Sequence, residues 1–460
     1  MMKNYIVRII ALFLLINVGL LCNISPIRAE NADRNDRSAL GQLLDVLHDK
    51  GTIDAQTHAA LMREIREDSI KGMPDEKAKI DTNGRFQVTS ADGKSMFRFG
   101  GRIHLDGAFY DNASDVGFSS GFDARRARME VQGLQDANWH WKLDYEFAQH
   151  SDVQSGFRDA FVRYTVPNTA HAVTVGQFKE FYGLESLNSS NDLAFVERAL
   201  PSRTFHDIAE ASDGRRIGLG LNSNDRENFT FAIGAFARNM SGDSYDQEGD
   251  PFAIEGRVTA SPVHNSTTAV HAGLSANWMD INNPSFAKLS ARPEARIGTS
   301  SLVSTGQMTD VESMARYGAE LGGIEGPLWS QAEYMVTTMN RGSARSVQFS
   351  GWYATVGYIL TGEARRYSFE KGTFSNPKIS RSFSNGGWGA WELAGRLSGL
   401  DLSDQDIQGG EERNFSLGLN WFPNDTYKIM FTWTKVLDVV GGAYDGETPS
   451  AFLMRTQFAF

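Results

Sequence analysis

Arg102, Arg126, Arg128, Arg163, Arg257 and Arg396 recur along the chain, each on the polar side of a stretch in which apolar and polar residues alternate. Guanidinium groups keep their charge and match carboxylate or phosphate oxygens with two parallel N–H donors. Arranged along a channel they attract anions. Set against Asp144, Glu146, Asp159 or Glu197 they brace a wall instead. Neither use breaks a covalent bond, and the residues that would do so are not assembled. His104, His140, His150, His171, His206, His264 and His271 are scattered, with no G-x-S-x-G and no H-E-x-x-H. An outer-face lipase or protease lacks its constellation, and no cofactor or metal is expected.

The elements that position these arginines have a period of two. In "SMFRFGGRIHLDGAFY", Phe97, Phe99, Ile103, Leu105 and Phe109 share one face, and Arg98, Arg102, His104 and Asp106 the other. "WHWKLDYEF" sets Trp139, Trp141, Leu143, Tyr145 and Phe147 against His140, Lys142, Asp144 and Glu146. Strict alternation is the mark of a strand with two different surroundings. Such segments recur to the C-terminus, about sixteen in all. Short turns ("DAN" at 136–138, "EGP" at 325–327, "PND" at 423–425) alternate with long Gly-rich connections at 111–121, 238–251, 279–313 and 438–450. An all-β transmembrane barrel of about sixteen antiparallel strands predicts this combination, with its polar face on an aqueous lumen. A soluble sandwich would need domain boundaries, and no Pro/Ser-rich break interrupts 84–460.

The ends read differently. Lys3 and Arg8 precede an apolar run from Ile9 to Leu21, and cleavage after Ala29 in "IRA-E" makes 1–29 a signal peptide. The sole cysteine, Cys22, follows Leu21 rather than a small residue, which argues against lipidation. Losing Lys3, Arg8 and Arg28 takes the net charge from −11 to −14, which excludes a general nucleic-acid binder. No later run is long and apolar enough for a membrane helix. Within 30–80, Leu40, Leu43, Leu44 and Leu47, a break at Gly51, then Leu61, Met62 and Ile65 predict a short helical hairpin, capped by Thr52 or Asp54. Its core is too small to stand alone, so self-association or a cell-wall contact in the periplasm is expected. The barrel takes 81–460.

Selectivity in a wide barrel requires inward loops and fixed charge. The connection 180–213 is long and carries Phe181, Tyr182, Leu184, Leu193, Phe195, Val196, Leu200 and Phe205, too apolar for a solvated loop. It reads as an inward constriction loop, with a helical turn in "NDLAFVERAL" capped by Asn191 or Asp192. Arg198 lies on it, and Arg125 near it. Arg125 and Arg126 are neighbours and cannot both face inward in a regular strand. Either Arg125 sits above the lipid zone or a bulge turns it. A second reading is a channel for another small solute, an organic anion or a sugar; Phe181, Tyr182 and Phe195 keep the sugar open.

The motifs "FGGRIHLD", "FDARRARMEV", "FRDAFVRY", "TVGQFKEFYGLE", "FVERALPSRTF", "LTGEARRY", "GGWGAWELAGRLSGLDL", "SLGLNWFPND" and "RTQFAF" resemble, in order, those of the phosphate- and polyphosphate-selective porin family of Gram-negative outer membranes. The resemblance implies a sixteen-stranded barrel, commonly a homotrimer, that passes small anions across the outer membrane. It implies an arginine pair at Arg125 and Arg126, a carboxylate at Asp159, a loop arginine at Arg198 and a ladder including Arg102 and Arg257. Arg292 and Arg296 would be further rungs on a second inward loop. Phosphate-specific members carry a lysine directly after "GLE", where this chain has Ser186, and an aromatic residue where it has Arg128. General anion preference is therefore better supported than phosphate specificity.

Overall fold

A computed structural model describes residues 39–71, 78–82, 85–111, 113, 115–149, 156–206, 214–223, 228–240, 251–281 and 287–460. The signal segment 1–29 and His150 lie outside the described residues. The chain divides into two compact units between Lys77 and Ala78.

The first unit contains the expected hairpin, α1 (Ala39–Asp49) and α2 (Ala55–Lys71). Gly51, at φ 67°, makes the left-handed turn out of α1. Asp54, rather than Thr52, caps α2: its Oδ1 accepts the Thr57 N–H at 2.6 Å. Across the hairpin His58 meets Asp45 at 3.0 Å.

In the second unit, sixteen strands among the described residues pair antiparallel in chain order. They are β1 (Met96–Asp111), β2 (Gly121–Gln135), β3 (Trp139–Glu146), β4 (Gly156–Thr165), β5 (His171–Lys179) and β6 (Arg215–Ser223). Then come β7 (Phe229–Phe236), β8 (Phe252–Ala260), β9 (Thr268–Asp280), β10 (Val311–Glu325) and β11 (Leu328–Arg341). The last are β12 (Val347–Ile359), β13 (Ala390–Asp404), β14 (Ile407–Phe422), β15 (Tyr427–Val440) and β16 (Ser450–Ala459). β16 pairs back onto β1, from Ser450 opposite Asp111 to Ala459 opposite Arg102, and closes the barrel. Below that seam a short strand, Phe86–Thr89, takes the free edge of Met96–Phe99 and pairs in turn with Lys79–Asp81.

The barrel is inside out relative to a soluble domain. Phe122, Leu321 and Leu274 are 74%, 64% and 61% exposed on its outer face, while Arg316, Glu320, Glu392 and Arg396 are buried within. A surface of this kind needs lipid outside, and closure leaves no strand edge unpaired in it. Phe97, expected to face lipid, is covered on that face by Trp141, ring centroids 6.4 Å apart.

Two bulges break the alternation where charge enters the lumen. His104 pairs with Arg126 but Asp106 with Asp123, so Leu105 opposes both Ala124 and Arg125. The extra residue turns Arg125 and Arg126 inward together, and both are buried. The same device recurs where Asp144 opposes Arg158 and Asp159, again both buried.

Candidate functional site

The connection between β5 and β6 folds into the barrel, where its backbone is held by wall side chains. Glu333 of β11 accepts the N–H groups of Leu184 and Glu185 at 2.6 and 2.8 Å, at the start of a one-turn helix, α3 (Leu184–Leu187). Lys428 donates to the Leu193 carbonyl at 2.5 Å, Asn420 to that of Ala194 at 2.8 Å, and Arg396 to that of Glu197 at 3.1 Å. The helical turn expected over 191–200 is therefore absent: those backbone groups bond to the wall instead of to each other. A helix, α4 (Leu200–Thr204), starts only afterwards, with Pro201 in its first turn. Of the loop's apolar side chains, Tyr182, Leu184, Phe195 and Phe205 are fully buried.

A second infolded segment went unseen in the sequence. Residues 360–389 join β12 to β13 at the end of the barrel where the other connections are short. Phe374 is buried within it, and Arg257 donates to the carbonyls of Lys371 and Gly372 at 2.8 and 2.9 Å. Asn376 donates to Asn191 O at 2.8 Å and, through its own N–H, to Asp192 Oδ1 at 3.0 Å. The two loops, entering from opposite ends, thus meet inside the barrel. The connection between β9 and β10 also turns in: Glu294, at φ 52°, accepts from Arg396 at 2.5 Å, Ser398 at 2.6 Å and Ser416 at 2.9 Å.

Among the described residues, an open space of about 1830 Å³ runs along the inner faces of β1 to β8, bounded by 187–192 and 368–375. Arg98, Arg102, Arg128, Lys142, Arg163, Lys179, Arg215, Arg257 and Lys371 line it, against Glu130, Asp159, Asp192 and Glu370. Nine cations face four carboxylates, an excess of five positive charges in a chain whose net charge is −11. Part of this lining is a chain of alternating sign. Arg102 lies 3.3 Å from Glu130, Glu130 3.2 Å from Lys142, Lys142 3.0 Å from Asp159, and Asp159 2.6 Å from Arg215.

The residues singled out in the sequence divide between this space and its surroundings. Arg102, Arg128, Asp159 and Arg257 line it; Arg128 is paired with Glu146 at 2.6 Å and Arg257 with Glu320 through two bonds of 2.9 and 2.6 Å. Arg125 is paired with Glu197 at 2.8 Å and, with Arg296, lines a separate space of about 750 Å³. Arg126 is buried in register with His104. Arg198 donates to the carbonyls of Glu185 and Asn188 at 3.1 and 2.9 Å, ordering the loop. Arg292 donates to the Arg296 carbonyl at 3.2 Å. Ser186 is buried and donates to Ser202 O at 3.1 Å. Its carbonyl accepts from Lys179 at 2.5 Å, which brings a cation beside the position where Ser186 itself carries none.

Residues 97–460 match the family model described as phosphate-selective porin O and P. Porin O of Pseudomonas aeruginosa is 24% identical over 424 residues, 83% of this chain and 92% of that protein. An uncharacterized protein of Caulobacter vibrioides is 29% identical over 377 residues, 81% of this chain and 73% of that one. Among solved structures, an anion-selective porin from Comamonas acidovorans superposes with a TM-score of 0.51 at 15% identity, over 80% of this chain and all of that one.

Proposed function

This chain belongs to the phosphate-selective porin O and P family, and we propose that it is an outer-membrane channel through which small anions pass passively. The observation that carries the reading is the lining of the open lumen, where nine cations outnumber four carboxylates, and still outnumber six once Glu146 and Glu320, the partners of Arg128 and Arg257, are counted, in an acidic chain. Fixed positive charge on low-dielectric walls concentrates anions and repels cations. Arg102, Arg128, Lys142, Arg215 and Arg257 would form the wall of the path, with Asp159 keeping Lys142 and Arg215 in place. Arg125, Arg126 and Arg198 would hold the constriction loop, and Arg292 and Arg296 the second inward loop. The family description, phosphate-selective, and the lumen charge both support anion preference. Ser186 supports general anion preference over strict phosphate selection. A porin family points to a channel rather than an enzyme, and the reading includes no catalytic step.

The chain would reach the outer membrane through removal of 1–29, leaving the hairpin in the periplasm. A homotrimer fits the wall: among the described residues β3 to β8 have 8 to 10 residues, whereas β9 to β15 have 13 to 16. At a tilt near 40° an eight-residue strand rises only about 20 Å, short of an apolar band of about 25 Å. Neighbouring copies would cover that low side.

Planar-bilayer recording of the purified protein in a salt gradient tests the function. The reversal potential is expected to take the anion-selective sign. Preference should weaken from 0.1 to 1 M salt, as the screening length shrinks from about 10 to about 3 Å. Arg163→Glu, which reduces the positive excess by two charges, should weaken it further at low salt. Cation preference in the wild-type channel would overturn the reading.

A further inference from the structure

The open lumen space is lined mostly by charged and polar side chains, with one aromatic patch among them. Phe161 of β4 and Phe181 at the start of the infolded loop are partly buried and turn ring surface to that space. Phe178, which also borders the space, and Phe236 are buried against them. The four rings are continuous, with centroid separations of 6.3 Å for Phe161–Phe178, 5.8 Å for Phe178–Phe181, 5.1 Å for Phe178–Phe236 and 5.9 Å for Phe181–Phe236. At its edge the Arg163 guanidinium lies 5.5 Å from the Phe161 ring centroid and donates to Thr174 at 3.0 Å. No carboxylate is ion-paired with Arg163 among the described residues.

A wall that only needs rigidity gains nothing from phenyl surface facing water, which is unfavourable in proportion to its area. An inorganic anion gains nothing from it either. A solute with a flat apolar body and one anionic arm gains from both features: the body covers the rings, and the arm meets the guanidinium. We propose that the channel selects small organic anions of this class, aromatic carboxylates above all, at the Phe161–Phe181 patch beside Arg163. This rests on the anion-channel reading and names the solute for it. The patch also differs from the aromatics that the sequence offered for stacking. Tyr182 and Phe195 are buried beneath the loop, and Phe181 alone of that set reaches the lumen.

The test is current block of the full-length protein in planar bilayers, titrating sodium benzoate against sodium acetate. Benzoate is expected to block at a concentration at least about fivefold below acetate, the advantage a ring contact confers. That ratio should collapse toward one in Phe161→Thr and persist in Phe161→Tyr. Equal block by benzoate and acetate in the wild-type protein overturns the inference and leaves the anion channel standing. A cation-selective reversal potential would instead remove the reading beneath it. The wild-type ratio decides the matter even if Phe161→Thr does not assemble.

Discussion

Glu197 shows how single carboxylates set the charge that reaches the lumen. Burial acts to raise its carboxyl, and Arg125, Arg455 and Arg126 more than reverse that, holding it at about 2. A folded value below the unfolded one, near 4.3, means that the stabilisation is complete above about pH 5 and is lost as pH falls through about 2. Glu197→Gln is expected to leave Arg125 and Arg455 short of a counter-charge. It should cost roughly 3 kcal/mol of stability, read from the urea midpoint in detergent, and increase anion preference. The difference in reversal potential between wild type and Glu197→Gln should be flat from pH 5 to 8 and shrink toward pH 2. A difference that vanished already at pH 5 would mean that the wild-type carboxylate is not ionised there. Arginines on polar faces were legible because alternation alone places Arg102 and Arg257 inward. Their partners were not. Glu320 looks like any inward carboxylate although Arg257 and His271 meet it, and Glu333 does so until the distant segment 184–185 is brought against it. The result is segregation: Glu294 and Glu333 sit behind the constriction loop and hold it, Glu185 ties the loop to itself through the Ala199 N–H, and the open side keeps the cations.

At the scale of elements, the bulge in β2 is what lets two neighbouring arginines share the lumen. Deleting Ala124 would restore regular pairing between β1 and β2, keep Arg126 and Asp123 inward, and turn Arg125 out opposite Leu105. An arginine on the lipid face costs about 2–4 kcal/mol at the bilayer midplane and less near its edge, and the Glu197 pair is lost as well. The deletion is therefore expected to lower the urea midpoint in lipid vesicles below that of Arg125→Ala, which loses only the pair. Equal midpoints would mean that the bulge is not what turns Arg125. The adjacent arginines in "DARRAR" made this bulge legible as one of two alternatives. The second bulge carried the same signal in "FRDAF", where Arg158 and Asp159 both face inward, and it passed unread. The sixteen strands were legible because the barrel wall imposes a period of two for its whole circumference. The segment 360–389 was not, because that end of a barrel ordinarily carries tight turns. Its signals were present all the same: Tyr367 and Phe374 are apolar for a solvated loop, and both are bonded or buried against the inner wall.

Across the whole molecule, the circumference is uneven in height as well as in charge. The low wall from β3 to β8 carries the open, cationic side of the lumen on its inner face, and exposed Val162, Val175, Leu219, Phe231 and Ile254 on its outer one. If copies abut there, each conducting path lies next to the centre of the assembly, and the interface is made by the barrel itself. The hairpin of α1 and α2 is a separate compact unit, with Val46 exposed and a core too small to be stable alone, so its contribution would add to that interface rather than replace it. These two contributions separate in one experiment. Light scattering of the detergent-solubilised full chain should give three times the protomer mass, and a variant lacking 30–77 should give the same multiple. The truncated trimer should dissociate at a lower temperature if the hairpins associate, and at an unchanged one if they contact the cell wall instead. A monomeric truncated protein would move the interface from the low wall to the hairpin, and a monomeric full chain would leave the short strands without the cover their length calls for.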